Sequence, residues 1–236
     1  MPPRFHATPP EAIGQTVREA VFIDHHTFHI ERPADPDALF DHPWVRSAYA
    51  ADTYTPYWAT LWPSARMLAK AVVREPWHTY PQPVRVLEVG CGLGLAGIAC
   101  LARGLEVTFS DVDETALSFA SANAKRNGFT RGFLMRLLDL RSPPSDVKYS
   151  VVIGSDLMYE ERLVDPLVEL LAAVLAPGGV CLIADPDRQA ARVFGWKLEE
   201  AGYKVTADFA RAGEPGGERT KGTVYRIRSS GCPGTF

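Results

Sequence analysis

Val84-Arg-Val-Leu-Glu-Val-Gly-Cys-Gly-Leu-Gly-Leu-Ala-Gly97 decides how this chain is read. Val84–Val89 is a short apolar run with β-branched residues, closed by glycines, and reads as a buried strand. Leu95–Arg103 follows as a helix that Gly104 stops. Between them glycines alternate at Gly90, Gly92 and Gly94. Such a turn lets the backbone approach a ligand closely, and the N–H groups at the helix start can face it. Ligands in open α/β sheets bind beyond the carboxyl ends of the strands, where this turn stands.

Outward from the turn, strand and helix alternate. Glu106–Ser110 is a second strand, Thr115–Asn127 a second helix ending at Gly128, and Phe133–Leu138 a third strand. Val151–Ser155 is a fourth, after the turn-rich Arg141–Ser145. Leu163–Leu175 is an amphipathic helix stopped by Pro177-Gly-Gly179. Val180–Ala184 is a fifth strand, followed by a helix over Gln189–Ala201. This rhythm predicts βαβ units and a parallel sheet. Lys204–Phe209 and Thr223–Arg228 break it, because Arg211–Gly222 is too short to hold a crossover helix, so they pair as a hairpin. The fold class is α/β: a Rossmann-like three-layer sandwich whose mostly parallel seven-stranded sheet ends in an antiparallel hairpin. Near the start, Ala20–Ile30 reads as a strand pair and Pro33–Pro43 as loop. Residues 1–55 form a leader and an N-terminal cap, 56–228 the cofactor-binding domain, and 229–236 a flexible tail. The first ten residues are expected to be mobile, and they lack the apolar core of a signal peptide.

Composition narrows the function classes. With 236 residues the chain buries roughly 70–75% of its unfolded surface, enough for one sizeable core. Hydrophobic residues at 46% and charged residues at 22% are those of a globular protein, and a net charge of −3 does not suggest a nucleic-acid or membrane binder. Cys91, Cys100, Cys181 and Cys232 include no C-x-x-C pair, which argues against a zinc site or a disulfide framework and fits a reducing cytoplasm. His25, His26 and His29 have no carboxylate or cysteine beside them in metal-site spacing, so no metal is expected.

The ligand of the glycine turn has two readings. Gly92-Leu-Gly-Leu-Ala-Gly97 satisfies the dinucleotide pattern G-x-G-x-x-G, with Asp111 about 20 residues on as a ribose-binding acid. That leaves an NAD-dependent oxidoreductase open. Three features favour a sulfonium cofactor, S-adenosylmethionine. Glu88 is an acid inside the motif, placed to offset the cationic amino-acid half. Asp139 follows the third strand, where an acceptor can take the adenine amino group. The closing hairpin is the third.

Leu87–Gly97 resembles the first motif of the class I, seven-strand methyltransferases. Pro56-Tyr-Trp-Ala-Thr-Leu-Trp-Pro-Ser64 is similar to the segment ahead of the core in the non-histone protein-lysine methyltransferases, and Asp156-Leu-Met-Tyr159 matches their D-x-x-Y signature. Asp185-Pro-Asp-Arg188 resembles a D-P-x-R segment in relatives that methylate the electron-transfer flavoprotein beta subunit. The resemblance covers roughly residues 54–228. It assigns Glu88, Gly90 and Gly92 to the methionine half of the cofactor, Asp111 to the ribose, and Asp139 with Leu140 to the adenine. By the same resemblance Trp62 would lie along the cofactor, Ser155 is expected in the same cofactor-binding set, and Asp156 and Tyr159 would face the methyl group as the catalytic pair. A protein lysine is the implied acceptor, with a small-molecule amine as the alternative.

Plainer readings compete at several positions. Trp58 and Trp62 stand at i, i+4, with Leu61, Ala65 and Leu68 continuing a helical stripe; Trp58 reads as core and Trp62 as functional. Asp113 and Glu114 read as a cap and a dipole partner of the second helix. Asp139 equally suits a cap of the Arg141–Pro144 turn. Arg219–Lys221 reads as a solvated loop.

Overall fold

A computed structural model describes residues 4–213 and 219–229. After α1 (Pro10–Ile13), β1 (Thr16–Ile23) and β2 (His26–Pro33) pair antiparallel, from Thr16↔Pro33 to Ile23↔His26. Their apolar residues alternate, so Val21, Ile23, Phe28 and Ile30 all face inward and are buried. The loop expected over Pro33–Pro43 is instead the start of two helices, α2 (Pro36–Asp41) and α3 (Pro43–Asp52). Asp35 caps α2 by accepting the Ala38 N–H at 2.9 Å. His42 Nδ1 accepts the Trp44 N–H at 3.3 Å and opens α3. Pro36 and Pro43 are first-turn prolines, a position that suits their fixed φ and missing donor.

The helix α4 (Pro63–Arg74) begins after Trp62, while Trp58 sits in a separate 3-10 turn. The two indoles therefore do not share a helix face, which corrects the stripe inferred from their spacing. From there the alternation holds: β3 (Arg85–Val89), α5 (Leu95–Ala102), β4 (Glu106–Asp111), α6 (Glu114–Arg126), β5 (Phe133–Leu137), β6 (Tyr149–Ser155), α7 (Val164–Val174), β7 (Leu175–Asp185) and α8 (Gln189–Glu200). The hairpin β8 (Tyr203–Ala212) and β9 (Thr220–Ser229) ends it, and β9 takes in most of the Arg219–Lys221 stretch read as loop.

The seven-stranded sheet has the order β5-β4-β3-β6-β7-β9-β8. β5 through β7 run parallel, and β9 is antiparallel to both neighbours. Strand order reverses between β3 and β6, so the crevice opens there. One face packs Val107, Phe109 and Leu182 against Leu68, Val72 and Ile98 of α4 and α5, joined by Ile30 of the first hairpin. The other packs Leu87, Val152 and Ile183 against Leu167, Leu171 and Phe194 of α7 and α8.

Asn123 of α6 and Asn127, which caps that helix's C-terminus, fasten the first hairpin to this core. Asn123 Oδ1 accepts the Glu31 N–H at 2.8 Å and its Nδ2 donates to Glu31 O at 3.1 Å. Asn127, one turn on, does the same for His29, at 2.9 Å in both directions. Spacing of i, i+4 on a helix here meets i, i+2 on a strand edge, satisfying backbone groups that would otherwise be open.

From residue 4 onward the leader packs against the core. The His6 N–H donates to Val112 O and the Glu114 N–H to His6 O, both at 2.9 Å, so this segment lies strand-like beside the start of α6. Residues 1–3 of that leader, and 230–236 of the tail with Cys232, lie outside the described residues. Among the described residues no helix is long and apolar enough to cross a membrane.

Candidate active site

The carboxyl ends of β3, β4 and β6 surround a cavity of about 380 Å³, within the range of roughly 300–1,000 Å³ typical of small-molecule and cofactor sites. The glycine turn is its floor. Gly90, Gly92 and Gly94 have φ of 59°, 50° and 82°, the left-handed region that a side chain disfavours. A Cβ on Gly90 would also come within 2.7 Å of Leu157 Cδ2. Gly97 serves differently: its Cβ would meet Phe109 Cε1 at 2.3 Å and Glu88 Oε2 at 2.4 Å. The last glycine of the G-x-G-x-x-G match thus lets α5 lie close on the sheet and does not line the cavity.

Asp111, ending β4, stands on the cavity wall. Its Oδ2 accepts the Gly92 N–H at 2.9 Å and its Oδ1 the Asp113 N–H at 3.2 Å. Burial pushes its carboxyl up to about 6, against those two donors, which favour the charged form. Glu88 lies one layer below, off the wall and 3% exposed, with Oε2 accepting the Gly97 N–H at 3.0 Å. Burial pushes it up to about 8, with the nearby Asp111 acting in the same direction.

Trp62, Leu140 and Ser155 line the cavity with Gly90 and Gly92. The Trp62 ring is fixed by its Nε1–H, which donates to Tyr57 O at 2.8 Å. Asp139 is not brought to this wall. It borders a smaller adjoining cavity, and its carboxylate accepts from Arg141 Nη2 at 2.8 Å and from the Arg4 N–H at 3.3 Å. Trp58 is buried in the core as expected, yet its backbone also touches the site, 3.4 Å from where a Gly92 Cβ would stand.

Asp156 and Tyr159 line the same cavity, and Tyr159 also borders the smaller one beside Asp139. Asp156 adopts φ 56°, a left-handed conformation that Asp visits more readily than most side chains. Its N–H donates to Ala184 O at 3.0 Å, and its Oδ1 accepts from Arg188 Nη1 at 2.7 Å. Its Oδ2 is buried with no hydrogen-bond partner among the described residues. Tyr159 is half-exposed, its ring centroid 5.0 Å from that of Tyr57.

Several wall residues were not singled out from sequence. Arg188 lay in the quoted D-P-x-R segment, which was the one available signal. Tyr54 gave none: its buried hydroxyl donates to Asp113, which also accepts the Thr8 hydroxyl at 2.7 Å while capping α6 through the Thr115 N–H at 2.7 Å. Burial and Asp113 raise the Tyr54 hydroxyl far above its usual range, so it stays a donor. These contacts join residues 59 and 105 positions apart.

The family described as lysine methyltransferase matches residues 51–199. The electron transfer flavoprotein beta subunit lysine methyltransferase of Xenopus laevis is 30% identical over 139 residues, covering 56% of this chain and 53% of that protein. The ribosomal protein L11 methyltransferase of Syntrophotalea carbinolica is 35% identical over 119 residues, covering 50% of this chain and 37% of that protein. The chain thus spans about half the length, or less, of these curated relatives. Among solved structures, ribosomal protein L11 methylase from Lactobacillus delbrueckii subsp. bulgaricus shares the fold, with a TM-score of 0.55 at 21% identity over 70% of this chain and 78% of that one. S-adenosylmethionine is the methyl donor that this family and fold imply. With the glycine turn, the strand order and the match over residues 51–199 in agreement, the chain belongs to the lysine methyltransferase family.

Proposed function

We propose that this chain transfers a methyl group from S-adenosylmethionine to the side-chain amine of a lysine in another protein. The observation that carries this reading is Asp156, a carboxylate on the cavity wall whose Oδ2 is buried and unpartnered among the described residues. Buried polar atoms are rarely left so, and an incoming ammonium N–H satisfies this one. The domain reading, 56–228 capped by residues 1–55, goes with it.

The residues present suit the cofactor. Three left-handed glycines let the backbone approach its methionine half, with Glu88 beneath them. Asp111 takes the ribose hydroxyls, and Leu140 the adenine, with Asp139 held behind it by Arg141. Trp62 and Ser155 complete the wall. When bound, the cofactor would supply an electrophilic methyl on its sulfonium, and these residues would hold that methyl toward the incoming amine.

The protein's part is positioning, desolvation and electrostatics. A lysine amine has a pKa of about 10.4, so presenting it neutral at pH 7 costs roughly 4–5 kcal/mol. A carboxylate beside it favours the ammonium, so Asp156 recruits and aims the group and does not by itself free the lone pair. Burial among Tyr57, Trp62 and Tyr159 acts the other way, while their π-faces retain the cation. The wide spacing of the cysteines, with no C-x-x-C pair, favours a reducing, cytoplasmic setting. Incubation with radiolabelled S-adenosylmethionine and a cell lysate tests the reading: discrete labelled protein bands support it. Label confined to the small-molecule fraction transfers the assignment to a small amine.

A further inference from the structure

Arg188 stands where two strand ends meet. β6 and β7 run parallel in the register Ser155↔Ala184, so the next residues, Asp156 and Asp185, leave neighbouring strands side by side. Two carboxylates in one such site cannot both stay charged without a cation. Arg188 Nη1 lies 2.7 Å from Asp156 Oδ1 and 3.2 Å from Asp185 Oδ2, and the Arg188 N–H donates to Asp185 Oδ1 at 2.7 Å. Asp187 does not join this group. It is left-handed at φ 65° and accepts the Thr223 hydroxyl of β9 at 2.7 Å.

The surrounding groups leave this arrangement intact. Tyr57 and Tyr159 face the cavity from its two loops, and Asp111 faces it from β4, held by the Gly92 and Asp113 N–H groups. Glu160 and Arg162 pair with each other next to Tyr159. Behind Asp185, Tyr225 of β9 is within electrostatic reach of Asp185, Asp187 and Arg192 of α8. Among the described residues, Arg188 is the cation in contact with Asp156.

We infer that Arg188 is a positioning residue that fixes one Asp156 oxygen, leaves the other open, and holds the acceptor site at one negative charge instead of two. The inference rests on the reading of Asp156 as the amine's partner. Its consequence is chemical. Two unopposed carboxylates would trap the incoming amine as ammonium, which has no lone pair to give. One, with a guanidinium beside it, aims the amine and still lets its proton pass to water at the cavity mouth.

The test is the pH profile of initial label transfer from S-adenosylmethionine into total lysate protein, from pH 6 to 10, with S-adenosylhomocysteine affinity measured alongside. The rate rises with pH as the amine deprotonates. Arg188→Gln moves that rise upward by about one to three pH units, and transfer at pH 7 falls about tenfold or more. Arg188→Lys keeps the charge and returns the rise towards the wild-type position. Asp185→Asn removes one carboxylate and moves the rise to lower pH, which tests the inference even if Arg188→Gln fails to fold. A uniform loss at every pH in an Arg188→Gln that still binds S-adenosylhomocysteine, or an unmoved rise in Asp185→Asn, overturns it. Wild-type protein that labels no protein at any pH removes the protein-lysine reading itself.

Discussion

The Gly92 N–H donates to Asp111 Oδ2 at 2.9 Å, tying the tip of the glycine turn to the end of β4 through the carboxylate assigned to the ribose. Turn and acid are therefore one unit, and damage to either should reach the other. We expect Asp111→Ala to weaken S-adenosylmethionine binding about tenfold to a hundredfold, the equivalent of roughly 1.5–3 kcal/mol for a hydrogen bond to a charged group. Gly90→Val, whose Cβ would lie 2.7 Å from Leu157 Cδ2, should do at least as much. Isothermal titration measures both, with circular dichroism confirming the fold. Undiminished affinity in both variants removes the cofactor from this turn.

Proton linkage gives a second expectation. Burial raises Asp111 to about 6 and Glu88 to about 8, whereas unfolded Asp and Glu titrate near about 3.9 and 4.3. The folded, ligand-free protein then binds more protons than the unfolded chain. The stability these groups contribute is complete below about pH 4 and is lost as pH rises through about 6 and then about 8. Glu88→Gln removes the larger share, so its free Tm at pH 8 should exceed wild type by a few degrees, with the gap closing near pH 4. A variant no more stable than wild type at pH 8 would show that Glu88 is charged in the folded protein.

Asp156→Asn keeps the shape of the acceptor partner and removes its charge. Losing roughly 1.5–3 kcal/mol at the amine should slow transfer about tenfold to a hundredfold. Cofactor affinity should hardly change, because Asp111 and the glycine turn belong to other strands. Tyr159→Phe should be milder, since the ring stays against Tyr57. A large fall in affinity with an unchanged rate per complex would place Asp156 in the cofactor shell.

Asn123 is fully buried and satisfies both backbone groups of Glu31, besides donating to Leu93 O at 3.1 Å. Asn123→Ala leaves these without partners, at about 1–3 kcal/mol for each buried group left unsatisfied. Thermal unfolding should shift down by about 4 °C or more. Hydrogen exchange should show faster opening across His26–Pro33 than across β3. Uniform protection would mean the hairpin holds through its apolar face alone.

Much of this architecture was legible because its causes are local. The β3 run, the left-handed glycines and the Gly104 stop each sit within a few residues of what they determine. The hairpin followed from the shortness of Arg211–Gly222. What escaped was set by distant partners. Residues 4–8 carry no periodicity, and their order comes from Val112 and Asp113 more than 100 positions away. The prolines at 36 and 43 look like loop until Asp35 and His42 are seen as caps. Within the site, Asp156 and Tyr159 stood out through their resemblance to the D-x-x-Y signature, but the bridge from Arg188 depends on the β6–β7 register. Asp139 read either as an adenine acceptor or as a cap of the next turn; the Arg141 N–H donates to its Oδ1 at 3.0 Å, and the Arg141 guanidinium holds it as well.

The central claim is that the methyl group ends on a protein lysine, and the direct measurement is its chemical position. Lysate protein labelled from S-adenosylmethionine by the wild-type chain is digested and analysed by tandem mass spectrometry, with Asp156→Asn as the control. The account expects methyl groups on lysine Nε in a small set of peptides, reduced about tenfold or more in the control. Methyl groups on another residue type, or at the same level in the control, would contradict it.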